Sequence, residues 1–160
     1  MSADVNRSVA KADVAPTTGV QRAPLSISVQ CEIPFHDVDV MQVCWHGHYL
    51  KYFELGRTAL LRRFDYDYPE MQASGYHWPI VEVYVKYVRP AVYGQKIEIR
   101  ATLLEFENRL KIAYAIVDVA SATRLTKGYT TQVAVEVGTQ SLQFVSPQVV
   151  LDKVRRVCGA

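Results

Sequence analysis

From Ser26 to Phe35 apolar and polar residues alternate, with Ile27, Val29, Cys31 and Ile33 on one side of an extended chain. A period of two predicts a first strand, because successive side chains of extended backbone point to opposite faces. The period then changes. Tyr49, Phe53, Gly56, Leu60 and Phe64 recur at three- and four-residue spacing while Lys51, Glu54, Thr58 and Arg62 fall largely elsewhere, which predicts one long amphipathic helix. Gly56 weakens a helix interior by about 1 kcal/mol relative to Ala, so something must approach the backbone there. Tight packing is the simpler explanation and a ligand the other. Asp65 to Gly75 reads as a short second helix or a turn.

Four further extended runs follow. Val81, Val83, Val85 and Tyr87 alternate with Glu82, Tyr84 and Lys86; Ile97, Ile99, Ala101 and Leu103 alternate with Glu98, Arg100 and Thr102. Leu110, Ile112, Tyr114 and Ile116 mark the third run, and Leu125 to Val135 the fourth. Arg89-Pro90 and Tyr93-Gly94 punctuate the first connection, and Glu107-Asn108 and Ala120-Ser121 mark hairpin turns. Pro147 to Val157 fits a short amphipathic helix. Residues 1–24 show neither period and read as a disordered N-terminal tail ahead of a single domain over 25–160.

One long helix set apart from hairpin-connected strands predicts an α+β domain, a curved five-stranded antiparallel sheet wrapped around that helix. One helix cannot cover both faces of such a sheet, and open strand edges invite a second copy, so a homodimer or homotetramer is expected.

Composition narrows the function. The chain of 160 residues is 49% hydrophobic and 21% charged, ordinary for a folded domain, and its formal charge of +2 is interleaved along the chain. No basic stripe tracks a phosphate backbone, so no nucleic-acid partner is expected. No run approaches the roughly 18 apolar residues that span a bilayer, and the first residues lack a secretory core, so no membrane partner and a cytoplasmic location are expected. Cys31, Cys44 and Cys158 have no CxxC spacing and suggest neither a disulfide framework nor a zinc knuckle.

The chemistry concentrates in Phe35-His36-Asp37-Val38-Asp39-Val40-Met41-Gln42-Val43-Cys44-Trp45-His46-Gly47-His48-Tyr49, which carries two carboxylates and three imidazoles just before the long helix. Together with Tyr52-Phe53-Glu54-Leu55-Gly56-Arg57, Tyr87-Val88-Arg89-Pro90-Ala91 and Gly128-Tyr129-Thr130, it resembles the 4-hydroxybenzoyl-CoA thioesterase family of hot-dog proteins over about residues 30–137. The resemblance implies a hot-dog fold and hydrolysis of an acyl-CoA or acyl-carrier-protein thioester, coenzyme A being part of the substrate and no separate cofactor being needed. It places the catalytic carboxylate on Asp39 and the carbonyl-polarising backbone N–H on His46, and puts Glu54 near the site. Many members carry Gly where this chain has Gln42, which bears on the shape of the loop.

Elementary chemistry agrees with that assignment. Free N–H groups and the positive end of the dipole at a helix start stabilise an oxyanion, and one such donor is worth about 10²–10³ in rate. Asp39, seven residues upstream of His46, can act there as nucleophile or as base toward water. Gln42, Val43, Trp45, Tyr49, Phe53, Glu54, Tyr84, Lys86 and Arg89 are the candidate substrate-binding residues, with Lys86 and Arg89, and also Arg124 and Lys127, available to nucleotide phosphates. Plainer roles exist for each: Asp39 and Asp37 as turn caps, His36 and His48 as polar surface, Glu54 and Arg57 as a surface pair, the aromatics as core.

No metal is expected, because His46 and His48, two apart, point away from each other on a helix and no HExxH-like spacing follows. Two other functions fit the fold. A hot-dog hydroxyacyl-thioester dehydratase pairs a His, usually followed by Phe-Pro, with a later acid, and Gly47-His48-Tyr49 lacks that proline. A non-catalytic acyl-binding protein of the same fold has no need of Asp39.

Overall fold

The computed structural model describes residues 23–159, so the expected tail lies outside the described residues except for Ala23 and Pro24. The chain runs β1 (Ser26–Glu32), α1 (Tyr49–Arg63), α2 (Tyr68–Ala73), β2 (Tyr76–His77), β3 (Ile80–Tyr87), β4 (Lys96–Glu105), β5 (Leu110–Asp118), β6 (Arg124–Gln132), β7 (Val135–Glu136) and α3 (Gln148–Cys158). Short 3₁₀ turns occupy Phe35–Asp37 and His46–His48. Five strands form one antiparallel sheet in the order β1-β4-β5-β6-β3.

The alternation in β4 and β5 decides where α1 lies. Ile99 pairs with Ile116, Ala101 with Tyr114 and Leu103 with Ile112, and all six are buried on one face. Tyr52, Phe53, Gly56, Leu60 and Leu61 of α1 are buried in the same core. Burying each large apolar side chain contributes about 1.5–3 kcal/mol, so this layer supplies much of the stability. At Gly56 a Cβ would stand 2.8 Å from Ile99 Cγ2 and 3.3 Å from Ala101 Cβ, so close helix–sheet packing accounts for the glycine. The sheet curls around α1 in the expected hot-dog arrangement.

Three features refine the sequence expectation. Asp67 and Glu70 form a reciprocal capping box, which makes the segment after α1 a true short helix. The fourth run ends at Gln132, and Val135 and Glu136 instead pair with His77 and Tyr76 in a separate two-stranded ribbon. The alternation in β3 buries little: Val85 packs partly against the core, but Val81, Val83, Tyr84 and Tyr87 are all exposed, β3 being an edge strand with β6 on one side only. α3 docks through Val150, Leu151 and Val154 and ends at Gly159 in a left-handed conformation. Among the described residues no helix is long and apolar enough to cross a membrane.

Candidate active site

The loop before α1 is held by short antiparallel bridges, Val38 to Cys44 and Val43 to Val92, and by the Cys44 N–H donating to the Ala91 carbonyl at 2.8 Å. Between the first bridge partners the chain makes a tight turn. The Gln42 N–H donates to the Asp39 carbonyl at 2.9 Å, and the Asp39 N–H donates to the Val43 carbonyl at 2.9 Å. Gln42 closes the turn at a φ of 62°, where left-handed backbone costs a side chain about 1–2 kcal/mol and glycine is at ease. That is the physical meaning of Gln at a position where the resembled family often has Gly. Asp39 does cap the turn, but with one oxygen: Oδ1 accepts the Met41 N–H at 2.8 Å, and among the described residues no donor reaches Oδ2.

The 3₁₀ turn His46–His48 runs directly into α1. Its first internal bond is His48 N–H to the Trp45 carbonyl at 2.9 Å, so the amides of His46 and Gly47 have no acceptor among the described residues. Neither the turn nor α1 has a side-chain cap or an acid in its first turn, which leaves the positive end of the helix uncompensated there. The Trp45 indole lies against Gly47; a Cβ at residue 47 would fall 2.0 Å from its ring, so only glycine admits this contact. Tyr87, at the end of β3, donates its hydroxyl to the His46 carbonyl at 2.7 Å.

Asp37 is not a turn cap. It is 2% exposed, and its carboxylate accepts the Tyr52 hydroxyl at 2.6 Å and the Lys51 ammonium, with His48 Nε2 at 3.8 Å and His36 Nε2 at 3.7 Å. Burial alone would raise its pKa, but the hydrogen bonds from Lys51 and Tyr52 and the Lys51 charge hold it below the usual carboxylate range. Burial and the bond to Asp37 push the Tyr52 phenol well up, so it stays protonated and donating. Asp37 thereby ties the site loop to the first turn of α1, a role with no signal in sequence because it depends on how the loop returns.

Asp39, Val43, His46, Tyr49 and Arg89 line one cleft of about 280 Å³, with Met41, Cys44, Tyr87, Val88 and Pro90 completing it. Burial raises the Cys44 thiol, which keeps it protonated beside Asp39. The other sequence candidates stand elsewhere. Phe53 is core, stacked on Tyr114 at 4.4 Å between ring centroids. Glu54 lines a separate groove on the outer side of α1 with Lys51, Leu55 and Thr58. Tyr84 stacks on Tyr129 at 5.4 Å on the sheet. Gln42, Trp45 and Lys86 are exposed outside the cleft lining, with the Trp45 ring against Gly47. Arg57 does pair with Glu54, at 3.9 Å, but its side chain is buried rather than on the surface and also donates to the Tyr68 hydroxyl at 3.1 Å. Among the described residues no cluster of His, Cys, Asp and Glu is arranged to hold a metal ion.

The sheet wrapped on α1, with an acid and open helix-start amides in one cleft, places the protein in a known class. Residues 33–154 match the model of the Thioesterase-like superfamily, and the chain belongs to that superfamily. It is 31% identical over 85 residues to YneP of Bacillus subtilis (strain 168), provisionally assigned as an acyl-CoA thioesterase; the match spans 53% of this chain and 61% of that protein. Solved structures share the fold. The 1,4-dihydroxy-2-naphthoyl-CoA thioesterase Slr0204 of Synechocystis aligns with a TM-score of 0.70 at 17% identity, over 81% of this chain and 95% of that one. A DHNA-CoA thioesterase of Staphylococcus aureus aligns with a TM-score of 0.68 at 21% identity, over 73% and 78%.

Proposed function

We propose that the protein hydrolyses an acyl-CoA or acyl-carrier-protein thioester, with Asp39 as the reacting carboxylate and the amides of His46 and Gly47 as the oxyanion site. One observation supports this: Asp39, one of whose carboxylate oxygens meets no donor among the described residues, lines the same cleft as His46 at the helix start. With Asp39 as base, its carboxylate takes a proton from water as the water oxygen bonds to the thioester carbon. The carbonyl oxygen becomes an oxyanion held by the amides. Collapse breaks the C–S bond, and the departing thiolate takes the proton back from Asp39, leaving acid and thiol. With Asp39 as nucleophile, the same oxygen bonds to the carbon and expels thiolate, and water then opens the resulting anhydride. A thiolate leaves readily, so neither route needs a strong second acid.

Arg89 at the cleft mouth is the cation best placed for the nucleotide end of coenzyme A. The open edge of β3 supports the expected dimer, and pairing of two copies there would set each cleft near the seam. Cys31 and Cys44 are free thiols, in keeping with a reducing cytoplasmic setting.

The test is a panel of aromatic, short-chain and long-chain acyl-CoA and acyl-carrier-protein thioesters, followed by released thiol. Aryl-CoA compounds head the panel because solved relatives of the same fold act on 1,4-dihydroxy-2-naphthoyl-CoA. Thiol release from at least one thioester is expected. Enoyl product from a hydroxyacyl thioester would establish the dehydratase instead, and tight binding with no turnover anywhere would establish an acyl-binding protein.

A further inference from the structure

Asp37 grips the turn that carries the open amides from both of its ends. Before the turn, the Asp37 backbone carbonyl accepts the Trp45 N–H at 2.9 Å, and the Trp45 carbonyl in turn accepts the His48 N–H at 2.9 Å. After it, the Asp37 carboxylate accepts the Tyr52 hydroxyl at 2.6 Å and the Lys51 ammonium, both from the first turn of α1, and stands 3.8 Å from Nε2 of His48. His46 and Gly47 lie between these two sets of contacts. The carboxylate that makes the second set is buried, and a fully bonded buried network of this kind rigidifies what it joins.

A carboxylate in that place also works against the proposed reaction. The amides of His46 and Gly47 are to receive a developing negative charge, and an anion buried close to the same turn opposes it, the more so because burial weakens solvent screening. Lys51 removes the conflict. Its ammonium bonds the same carboxylate oxygen, Oδ1, that faces His48, so acid and base are neutral as a unit. The lysine is half exposed, which keeps its own charge partly in water while the acid is enclosed. His36 Nε2 also faces this oxygen, at 3.7 Å, but from a side chain that stands in solvent.

We infer that Asp37 is a positioning residue for the oxyanion site, and that its pairing with Lys51 keeps this brace from opposing the charge the site must stabilise. The inference rests on the proposed thioester hydrolysis. Neither residue lines the cleft, so both act through the turn and not on substrate. Asp37→Asn keeps an acceptor for Tyr52 and removes the charge that holds Lys51. Turnover by the folded variant is expected to fall about 10- to 100-fold, the scale of misaligning one oxyanion donor, with KM little changed. Lys51→Met leaves the buried anion uncancelled and is expected to lower turnover about tenfold on its own. In the Asp37→Asn background the same change is expected to cost less than about twofold, because no anion is left to cancel.

The test joins this double-variant cycle, measured on the best thioester of the panel, to a probe that is not hydrolysed. Phenacyl-CoA carries a ketone separated from sulfur by a methylene group, so the oxyanion site can hold its carbonyl without a C–S bond to break. Labelled at the carbonyl carbon, it gives an NMR resonance that moves downfield when amides hydrogen-bond to the oxygen. A downfield shift is expected on binding to the wild type, and most of it is expected to be lost with Asp37→Asn, while affinity for the matching thioether without a carbonyl stays the same. A plain stabilising role would move neither the bound resonance nor turnover per folded molecule. An equal shift in the Asp37→Asn complex, or losses that simply multiply in the double variant, would overturn the inference. An unshifted carbonyl in the wild-type complex would instead remove the amides from the proposed function, and this inference with them. Should Asp37→Asn fail to fold, Lys51→Met at its half-exposed position decides alone: lowered turnover at unchanged KM supports the pairing, and wild-type turnover overturns it.

Discussion

The hydroxyl of Tyr87 donates to the backbone carbonyl of His46 across 2.7 Å, which fastens the last residue of β3 to the turn that opens α1. These two elements come from distant parts of the chain, and the cleft with Asp39 lies between them. With the His46 carbonyl engaged, the peptide that joins His46 to Gly47 is held with its N–H, that of Gly47, turned the opposite way, as the two ends of one planar peptide must be. The bond is therefore a positioning device for the amide proposed to take up charge in the reaction.

Tyr87→Phe keeps the ring and removes only this bond. One net hydrogen bond is worth about 0.5–1.5 kcal/mol, so thermal stability is expected to change by no more than that. Turnover is expected to fall several-fold more than binding does, because the loss acts on the oxyanion. Steady-state kinetics that show an unchanged kcat would remove Tyr87 from this role.

Asp37 yields a prediction about acid. Its carboxyl is held below the ordinary range in the folded protein, since the Lys51 and Tyr52 bonds outweigh burial. A group of that kind contributes its full stability above the unfolded carboxylate pKa of about 3.9, and the contribution is lost as pH falls through the lower folded value. Asp37→Asn is expected to cost about 2–4 kcal/mol at neutral pH, less than a fully buried pair because Lys51 is half exposed. Denaturant melts from pH 7 down to pH 3 should show the wild-type advantage shrinking below about pH 5. An advantage that stays level over that range would contradict the burial and pairing described for Asp37.

Much of the fold was legible in the sequence because its signals are local. Alternation in Ile97–Leu103 and Leu110–Ile116, and the three-and-four spacing from Tyr49 to Phe64, are set by which face each element buries. The β2–β7 ribbon was not legible, since two residues carry no period. β3 misled in a specific way: alternation implies a buried face, yet this strand has a neighbour on one side only, and Val81 and Val83 stand in solvent while Val85 alone of the alternating valines packs partly against the core. In the site, Asp39, Val43, His46, Tyr49 and Arg89 line one cleft, being close in sequence or at a strand end. Phe53 and Glu54 do not, because one faces the core and the other the outer side of α1. The anchoring role of Asp37 depends on chain return, which no short pattern encodes.

The open edge of β3 carries the prediction about assembly. Val81→Lys with Val83→Lys places two charges on exposed positions of that edge, where charge is the usual block to strand pairing. Light scattering is expected to show a dimer for the wild type and a monomer for the double variant, with thioester hydrolysis lost alongside. A monomeric variant that still turned over substrate at the wild-type rate would mean that a single chain holds a complete site.

The central claim is that the Asp39 carboxylate performs the chemistry beside the His46 and Gly47 amides. Single-turnover hydrolysis of the best thioester by Asp39→Asn, with substrate affinity measured in parallel, tests it most directly. The rate is expected to drop by about 10²–10⁴, roughly 3–5 kcal/mol of barrier, while affinity and melting temperature stay close to the wild type. Hydrolysis at the wild-type rate by a folded Asp39→Asn protein would contradict the claim outright.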